Sequence, residues 1–190
     1  MGKTRLEAFS DGVIAIIITI MVLELRVPEG TDLEALRQAV HKLLPYVLSF
    51  VFLGIYWNNH HHMLHLCDRV NGKVLWANLH LLFWLSLVPF TTDWVGEHPT
   101  AALPAAIYGT VLLLAGIAYL ILERTLIYVH GPDSKLSTAI GDELKGTLST
   151  ILYAAAIPLA FVHAWIAHAI YVAVALMWLV PDRRIESTVS

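Results

Sequence analysis

Charged and polar residues cluster where a long apolar stretch begins near the N-terminus. Arg5, Ser10 and Asp11 lie within or directly before this stretch, which continues to about residue 27. Ionisable groups at membrane depth are costly, so they usually have a functional role or lock helices together. The simpler alternative is that Ser10 and Asp11 only complete a helix start close to water. The residues themselves leave both interpretations open.

A second polar cluster is rich in histidine. Trp57 is followed by three consecutive histidines and by His65, and His61 and His65 have the i, i+4 spacing that can chelate a metal ion. No second ligand pair accompanies them, and the HExxH motif is absent. We therefore predict no metal site and no cofactor, and expect hydrogen bonds between this cluster and the region of Arg5 and Asp11.

One face of the first apolar stretch forms a stripe. At 100° per residue, a sector about 60° wide contains Gly12, Ile16, Thr19 and Leu23. Small residues beside it, Ala8 and Ala15, allow close approach of another helix. Such a stripe is typical of a surface that faces a symmetry axis, but ordinary helix packing produces the same pattern.

The stripe also determines where the neighbouring residues point. Asp11 lies about 110° from its centre, so Asp11 is expected to point into its own subunit if the stripe faces an axis. Ile17 lies about 100° round the helix from Ile16 and is expected to face lipid.

The composition requires a membrane environment. Of the 190 residues, 57% are hydrophobic and 14% are charged, whereas soluble domains carry about 25% charged residues. A soluble fold with this composition would expose apolar surface to water. The net charge of −3 gives no basic field, so we expect no nucleic-acid partner. The only cysteine is Cys67, which excludes an intrachain disulfide.

Six stretches are long and apolar enough to cross a bilayer, which requires about 20 residues. They are approximately residues 7–27, 45–66, 74–95, 101–122, 145–161 and 165–181. Between the first two, residues 31–44 are amphipathic, and Thr31 and Glu34 have capping-box spacing, so we predict a separate interfacial helix there. The prediction is a single-domain, all-α membrane protein over residues 1–190, with six transmembrane helices and one short interfacial helix after the first span.

The distribution of basic residues predicts the orientation. With the N-terminus inside, nine of the twelve Lys and Arg residues lie in cytoplasmic segments and three lie outside, the latter being Arg26, Arg37 and Lys42. We therefore expect a multi-pass protein of the cell membrane with both termini in the cytoplasm.

Three segments together resemble a known family. The first is Arg5-x-x-x-Phe9-Ser10-Asp11, the second runs from Trp57 to His61 in the form W-x-x-H-H, and the third consists of Asn78, Pro89, Phe90 and Thr92. They resemble the signature segments of the prokaryotic lysosomal-potassium-channel family, the bacterial relatives of the endolysosomal channel TMEM175. The third histidine, His62, departs from the pattern, and we assign it no role.

The resemblance implies a homotetramer of six-helix subunits whose first helices line a pore. Hydrophobic side chains form the constriction in that family, and the corresponding position here is Ile16, with Thr19 and Leu23 further along the helix. It also implies a structural network on the cytoplasmic side, formed by Arg5, Phe9, Ser10, Asp11, His61 and Asn78.

The expected function is therefore a cation channel, not an enzyme. It would sit in the lipid bilayer and conduct potassium preferentially among monovalent cations. Two alternatives remain at this point. One is a proton-coupled carrier or proton pathway that uses Asp11 and the histidines, which titrate near neutral pH. The other is a membrane-embedded metalloenzyme that uses His61 and His65.

Overall fold

The computed structural model describes residues 2–28, 30–131, 134, 136–137 and 144–179, and no strand occurs among them. The long elements are seven helices: α1 Lys3–Leu23, α2 Leu33–His65, α3 Gly72–Ser86, α4 Val88–Glu97, α5 Ala102–His130, α6 Leu144–Val162 and α7 Ala164–Leu179. With α3 and α4 taken as one segment, five spans are long and apolar enough to cross a membrane, and α7 is a shorter apolar helix. The all-α class is confirmed, and the helix count agrees with the expected six spans.

Helix α1 has one buried face. Its buried residues recur at helical spacing and are Leu6, Ser10, Ile14, Ile17 and Met21. This face packs against α2, α3 and α4. Only 28% of the most apolar part of α1 is buried inside the subunit, so most of its surface is left for lipid or for other subunits.

The prediction of a separate interfacial helix is wrong. Residues 33–65 form one continuous helix that passes through Pro45, and its N-cap is Asp32, whose carboxylate accepts a hydrogen bond from the Ala35 amide, rather than Thr31. Contacts with α4 are made on both sides of the proline, through Lys42 before it and Ser49 after it. Lys42 Nζ lies 2.9 Å from Glu97 Oε1, and Gly96 allows close approach to the Lys42 backbone.

The third predicted span consists of two helices. Helix α3 ends at Ser86 and α4 begins at Val88, with Pro89 in its first turn. Proline has no amide hydrogen to donate and its ring displaces the preceding turn, which explains a break at this point.

The fourth span is longer than predicted. Helix α5 continues past residue 122 to His130 and ends at Gly131, whose φ of 89° favours glycine. The predicted turn at His163 between the last two spans is confirmed, since α6 ends at Val162 and α7 begins at Ala164. Helices α5 and α7 approach closely at Gly109, where a methyl group would overlap the Tyr171 hydroxyl that donates to the Ala105 carbonyl oxygen.

Candidate pore helix and its anchoring network

A chain of buried hydrogen bonds attaches α1 to two other helices. His60 Nε2 on α2 lies 2.7 Å from Asn78 Oδ1 on α3, and Asn78 Nδ2 donates to Ser10 Oγ on α1 at 2.9 Å. Ser10 Oγ in turn donates to the Leu6 carbonyl oxygen. Because the Asn78 amide nitrogen donates to Ser10, its oxygen faces the imidazole, and His60 Nε2 is the donor. All three side chains are at most 1% exposed.

The histidine in this network is His60 and not the predicted His61. His61 is exposed and stacks between Trp57 and His65, with ring centroids 6.0 Å and 6.3 Å away. Three consecutive histidines point in three directions about 100° apart, so only one of them can face α1 and α3. The sequence contains a signal for His60, because it shares helical spacing with the buried Leu53 and Leu64.

Asp11 is hydrogen-bonded to the polar cluster of α2, as expected, but through Trp57 and not through a histidine. Its Oδ1 accepts a hydrogen bond of 3.0 Å from Trp57 Nε1 on α2, whereas Arg5 and His61 were the expected partners. Arg5 and Phe9 are both exposed. The Asp11 carboxylate is half-buried and joined to α2 of its own subunit, at the edge of the network formed by Ser10, Asn78 and His60.

We predict that Asp11→Ala lowers the yield of assembled protein. Loss of this charge-assisted bond would cost about 1 kcal/mol at a half-exposed position and would leave the Trp57 indole nitrogen without its acceptor. Trp57→Phe, which removes the donor and keeps a smaller aromatic ring, should produce part of the same loss. Size-exclusion chromatography of both variants measures the effect. Normal assembly of Asp11→Ala together with altered ion selectivity would assign Asp11 to the pore instead.

The opposite face of α1 carries the predicted stripe. Ile16 is 60% exposed and Leu23 is 76% exposed. Thr19 is also exposed, and its hydroxyl donates to the Ala15 carbonyl oxygen at 2.8 Å. A Cβ on Gly12 would meet nothing within 4 Å. The subunit therefore presents this whole stripe outward.

The expectation that Ile17 faces lipid is wrong. Ile17 is 3% exposed and belongs to the apolar core shared with α2, α3 and α5. The rotation of about 100° from Ile16 was correct, but it leads to the packed interior of the subunit.

Sequence reasoning missed a second buried polar cluster. Ser49 Oγ lies 2.7 Å from Thr92 Oγ1 and 2.9 Å from the Tyr108 hydroxyl, which joins α2, α4 and α5. Thr92 belongs to the third resemblance segment, but Ser49 stands among apolar residues and has no neighbour in sequence that marks it. This cluster holds α4 and α5 beside α2 near the opposite end of the bundle from Asn78.

The cysteine thiol and the possible metal ligands are the other reactive groups considered from the sequence. Burial raises the pKa of the Cys67 thiol to about 11, so the thiol stays protonated and nearly unreactive at neutral pH. In the part of the chain that the structure describes, no group of three or more histidine, cysteine, aspartate or glutamate side chains is placed to hold a metal ion.

Comparison with known proteins identifies the family. The sequence-family model described as endosomal/lysosomal potassium channel TMEM175 matches residues 5–89 of this chain. A potassium channel of Chryseobacterium sp. strain P1-3 is 52% identical over 188 residues, which cover 99% of this chain and 98% of that relative. This chain belongs to the TMEM175 family. The resemblance seen in the three sequence segments is thus confirmed.

Other TMEM175 relatives agree in sequence and in fold. A potassium channel of Streptomyces collinus is 31% identical over 171 residues, which cover 84% of this chain and 83% of that relative. The crystal structure of a lysosomal potassium-selective channel TMEM175 homologue from Chamaesiphon minutus matches with a TM-score of 0.77 at 28% identity, over 93% of this chain and 96% of that one.

The vertebrate TMEM175 relatives are longer. The human endosomal/lysosomal proton channel TMEM175 is 30% identical over 143 residues, which are 67% of this chain but only 28% of the human protein. This chain is a multi-pass membrane protein of a channel family, and the match gives no support to the metalloenzyme alternative.

Proposed function

We propose that this protein is a potassium-favouring cation channel. The observation that carries the proposal is the outward-facing stripe of α1, where Ile16, Thr19 and Leu23 are exposed on a helix that is buried on its other side. The bacterial relatives that cover most of this chain are named potassium channels, which supports the same function. The proposal treats residues 1–190 as one channel domain in the cell membrane.

The proposed assembly is a homotetramer in which four copies of α1 surround the pore. The stripe then lines the central axis, and Ile16 forms the narrowest ring. A ring of four isoleucine side chains offers no oxygen ligands, so it cannot replace the hydration shell of an ion as carbonyl filters do. Such a ring acts through its diameter and its wetting: a narrow ring is a dewetted gate, and a wider ring passes partly hydrated ions.

Thr19 supplies oxygen atoms one turn from Ile16. Its hydroxyl hydrogen is used in the bond to the Ala15 carbonyl oxygen, which leaves the oxygen lone pairs directed away from the helix. Four such oxygens around an axis would contact a cation that has lost part of its water. Potassium loses water more easily than sodium, so a mild preference for potassium follows, with Leu23 forming a further hydrophobic ring.

We predict that Thr19→Ala lowers selectivity more than it changes flux. The substitution removes four oxygen atoms from the pore while the Ile16 ring keeps its size. The expected result is a potassium-to-sodium permeability ratio that falls severalfold, with total potassium flux within about threefold of wild type, a barrier change below about 1 kcal/mol. Reversal potentials under bi-ionic conditions measure the ratio. An unchanged ratio would remove Thr19 from the selectivity mechanism.

The buried network has a supporting role in this proposal. Hydrogen bonds through Ser10, Asn78 and His60 fix the rotation of α1, so that Ile16 faces the axis while Ile17 packs inside the subunit. A rotation by one residue would carry the stripe about 100° away from the axis.

Assembly and orientation can be tested together. A mass measurement in detergent should give four chains, and a stable monomer would contradict the tetramer. For orientation, Asp68→Cys and Thr100→Cys place exposed thiols at opposite ends of the bundle. The native Cys67 is buried, so its own labelling should be low. A membrane-impermeant maleimide should label Thr100→Cys from outside and should not label Asp68→Cys. The opposite pattern would contradict cytoplasmic termini.

Proton conduction is the second candidate function. Trp57, His61 and His65 form a stacked row on the exposed face of α2, and Asp11 is bonded to Trp57. The vertebrate relatives named proton channels favour this candidate. Flux that follows an imposed proton gradient in the absence of potassium, and that falls in a His61→Ala/His65→Ala variant, would support it.

A further inference from the structure

Basic and aromatic side chains meet where α3 begins and α5 ends. The group consists of Arg69, Lys73 and Arg124 with the aromatic residues Trp76 and Tyr128, and we refer to it as the α3–α5 basic patch. All five side chains are exposed, Trp76 and Tyr128 to 75% and 76%. None of them takes part in the pore stripe or in the network that anchors α1.

Two contacts bring the patch together from separate helices. The Lys73 ammonium lies over the Tyr128 ring, 5.2 Å from its centroid. His130 at the end of α5 accepts a hydrogen bond from the Arg69 amide at 3.1 Å, which ties the segment before α3 to α5. The cations of α3 and α5 therefore share one surface whose position is fixed by the fold.

The position of Arg124 along α5 indicates which part of the bilayer this surface contacts. Arg124 lies six residues before the end of α5, about 9 Å along the helix axis. It comes just after the apolar stretch that ends at residue 122, which places its guanidinium at the headgroup level and not in hydrocarbon. Exposed Trp and Tyr side chains are typical of the same interfacial level. Arginine binds phosphate through two parallel hydrogen bonds.

We propose that the α3–α5 basic patch binds the headgroup of an anionic phospholipid. Arg124 and Lys73 contact the phosphate, Arg69 adds positive charge, and Trp76 and Tyr128 pack against the glycerol and the upper part of the acyl chains. In the orientation given under Proposed function, on which only the choice of leaflet depends, the lipid belongs to the cytoplasmic leaflet. Basic sites between helices on that side are suited to acidic headgroups.

Charge complementarity favours lipid over a second copy of the chain. The patch carries three cations, and among the described residues its one neighbouring exposed carboxylate is that of Asp68. Two partly buried carboxylates at this end of the bundle already have partners: Glu7 lies 3.9 Å from Lys3, and Asp11 is bonded to Trp57. In the part of the chain that the structure describes, a neighbouring subunit would offer this end of the bundle no exposed carboxylate other than that of Asp68, whereas an acidic phospholipid brings an anion.

The test is native mass spectrometry of the purified full-length protein equilibrated with equimolar phosphatidylglycerol and phosphatidylcholine. Wild type should retain phosphatidylglycerol preferentially. Since each basic residue near an anionic headgroup contributes about 1 kcal/mol, or about fivefold, Lys73→Ala should reduce the preference about fivefold and Lys73→Ala/Arg124→Ala about thirtyfold. Lys73→Arg should retain most of it.

Arg37→Ala is the control, because Arg37 is an exposed arginine at the other end of the bundle with 78% side-chain exposure. It should retain the wild-type preference. An unchanged ratio in the double variant, or an equal loss in Arg37→Ala, would overturn the proposal. Loss of the oligomer in the double variant would assign the patch to a subunit contact and overturn it as well. The lipid ratio does not depend on ion flux, so failure here is distinct from failure of the channel function.

Discussion

Ile16→Asn should raise cation flux and weaken the discrimination between potassium and sodium. In the proposed tetramer one substitution changes four side chains around a single axis, and it replaces apolar groups with amides that hydrogen-bond water. A dewetted ring would become wetted, which removes a barrier to ion passage. A barrier lower by about 1.4 kcal/mol already raises the rate tenfold, so we expect at least a tenfold rise in potassium flux into liposomes that contain purified protein.

Ile151 provides a matched control for this experiment. It lies on α6 and is 59% exposed, compared with 60% for Ile16, so Ile151→Asn makes the same change on another exposed helix face. We expect wild-type flux and selectivity from it. Ile17→Asn should instead destabilise the subunit, because an amide would be buried in an apolar core without a partner. If either control reproduces the conductive phenotype of Ile16→Asn, the pore face lies elsewhere.

Asn78→Leu should cause the largest loss of stability among single substitutions in the anchoring network. Leucine preserves the volume but removes the acceptor of His60 and the donor to Ser10. A buried polar group without its partner costs about 1–3 kcal/mol. A decrease of about 2–3 kcal/mol in the free energy of unfolding would lower the Tm by roughly 5–10 °C in a chain of this size. Thermal unfolding in detergent measures this change.

Asn58→Leu is the corresponding control on an exposed surface. Asn58 precedes His60 by two residues on α2 and is exposed, so the same substitution there removes no buried hydrogen bond. Its Tm should lie within about 2 °C of wild type, as is usual for surface changes of about 0.5 kcal/mol. Equal Tm values for Asn78→Leu and wild type would show that the network does not hold α1.

The spans and the stripe of α1 followed from the sequence because neither depends on tertiary contacts. Length and hydropathy define the apolar segments, and the angular spacing of Ile16, Thr19 and Leu23 needs only the helix repeat. The absolute rotation of α1 cannot be predicted from the helix repeat alone. Ile17 and Ile16 are chemically identical, and only the packing of α1 on α2 and α3 determines which of them is buried.

Tertiary contacts also explain the remaining errors. Pro45 suggested a helix boundary, but the pairing of Lys42 with Glu97 and the close approach at Gly96 keep α2 continuous through it. At 33 residues α2 is about 50 Å long, which exceeds the thickness of about 30 Å of a bilayer core. The motif identified histidines near Asn78, whereas the choice of His60 depended on which side of α2 faces α3.

Ion flux in liposomes made with purified protein tests the central proposal most directly. Vesicles with equal protein content are compared under a potassium gradient, a sodium gradient and no gradient. The channel proposal predicts rapid flux that is faster with potassium than with sodium, that is absent without a gradient, and that does not saturate at low millimolar concentrations. Flux that requires a proton gradient and saturates with a solute would indicate a carrier, and an absence of cation flux from correctly assembled protein would contradict the channel function.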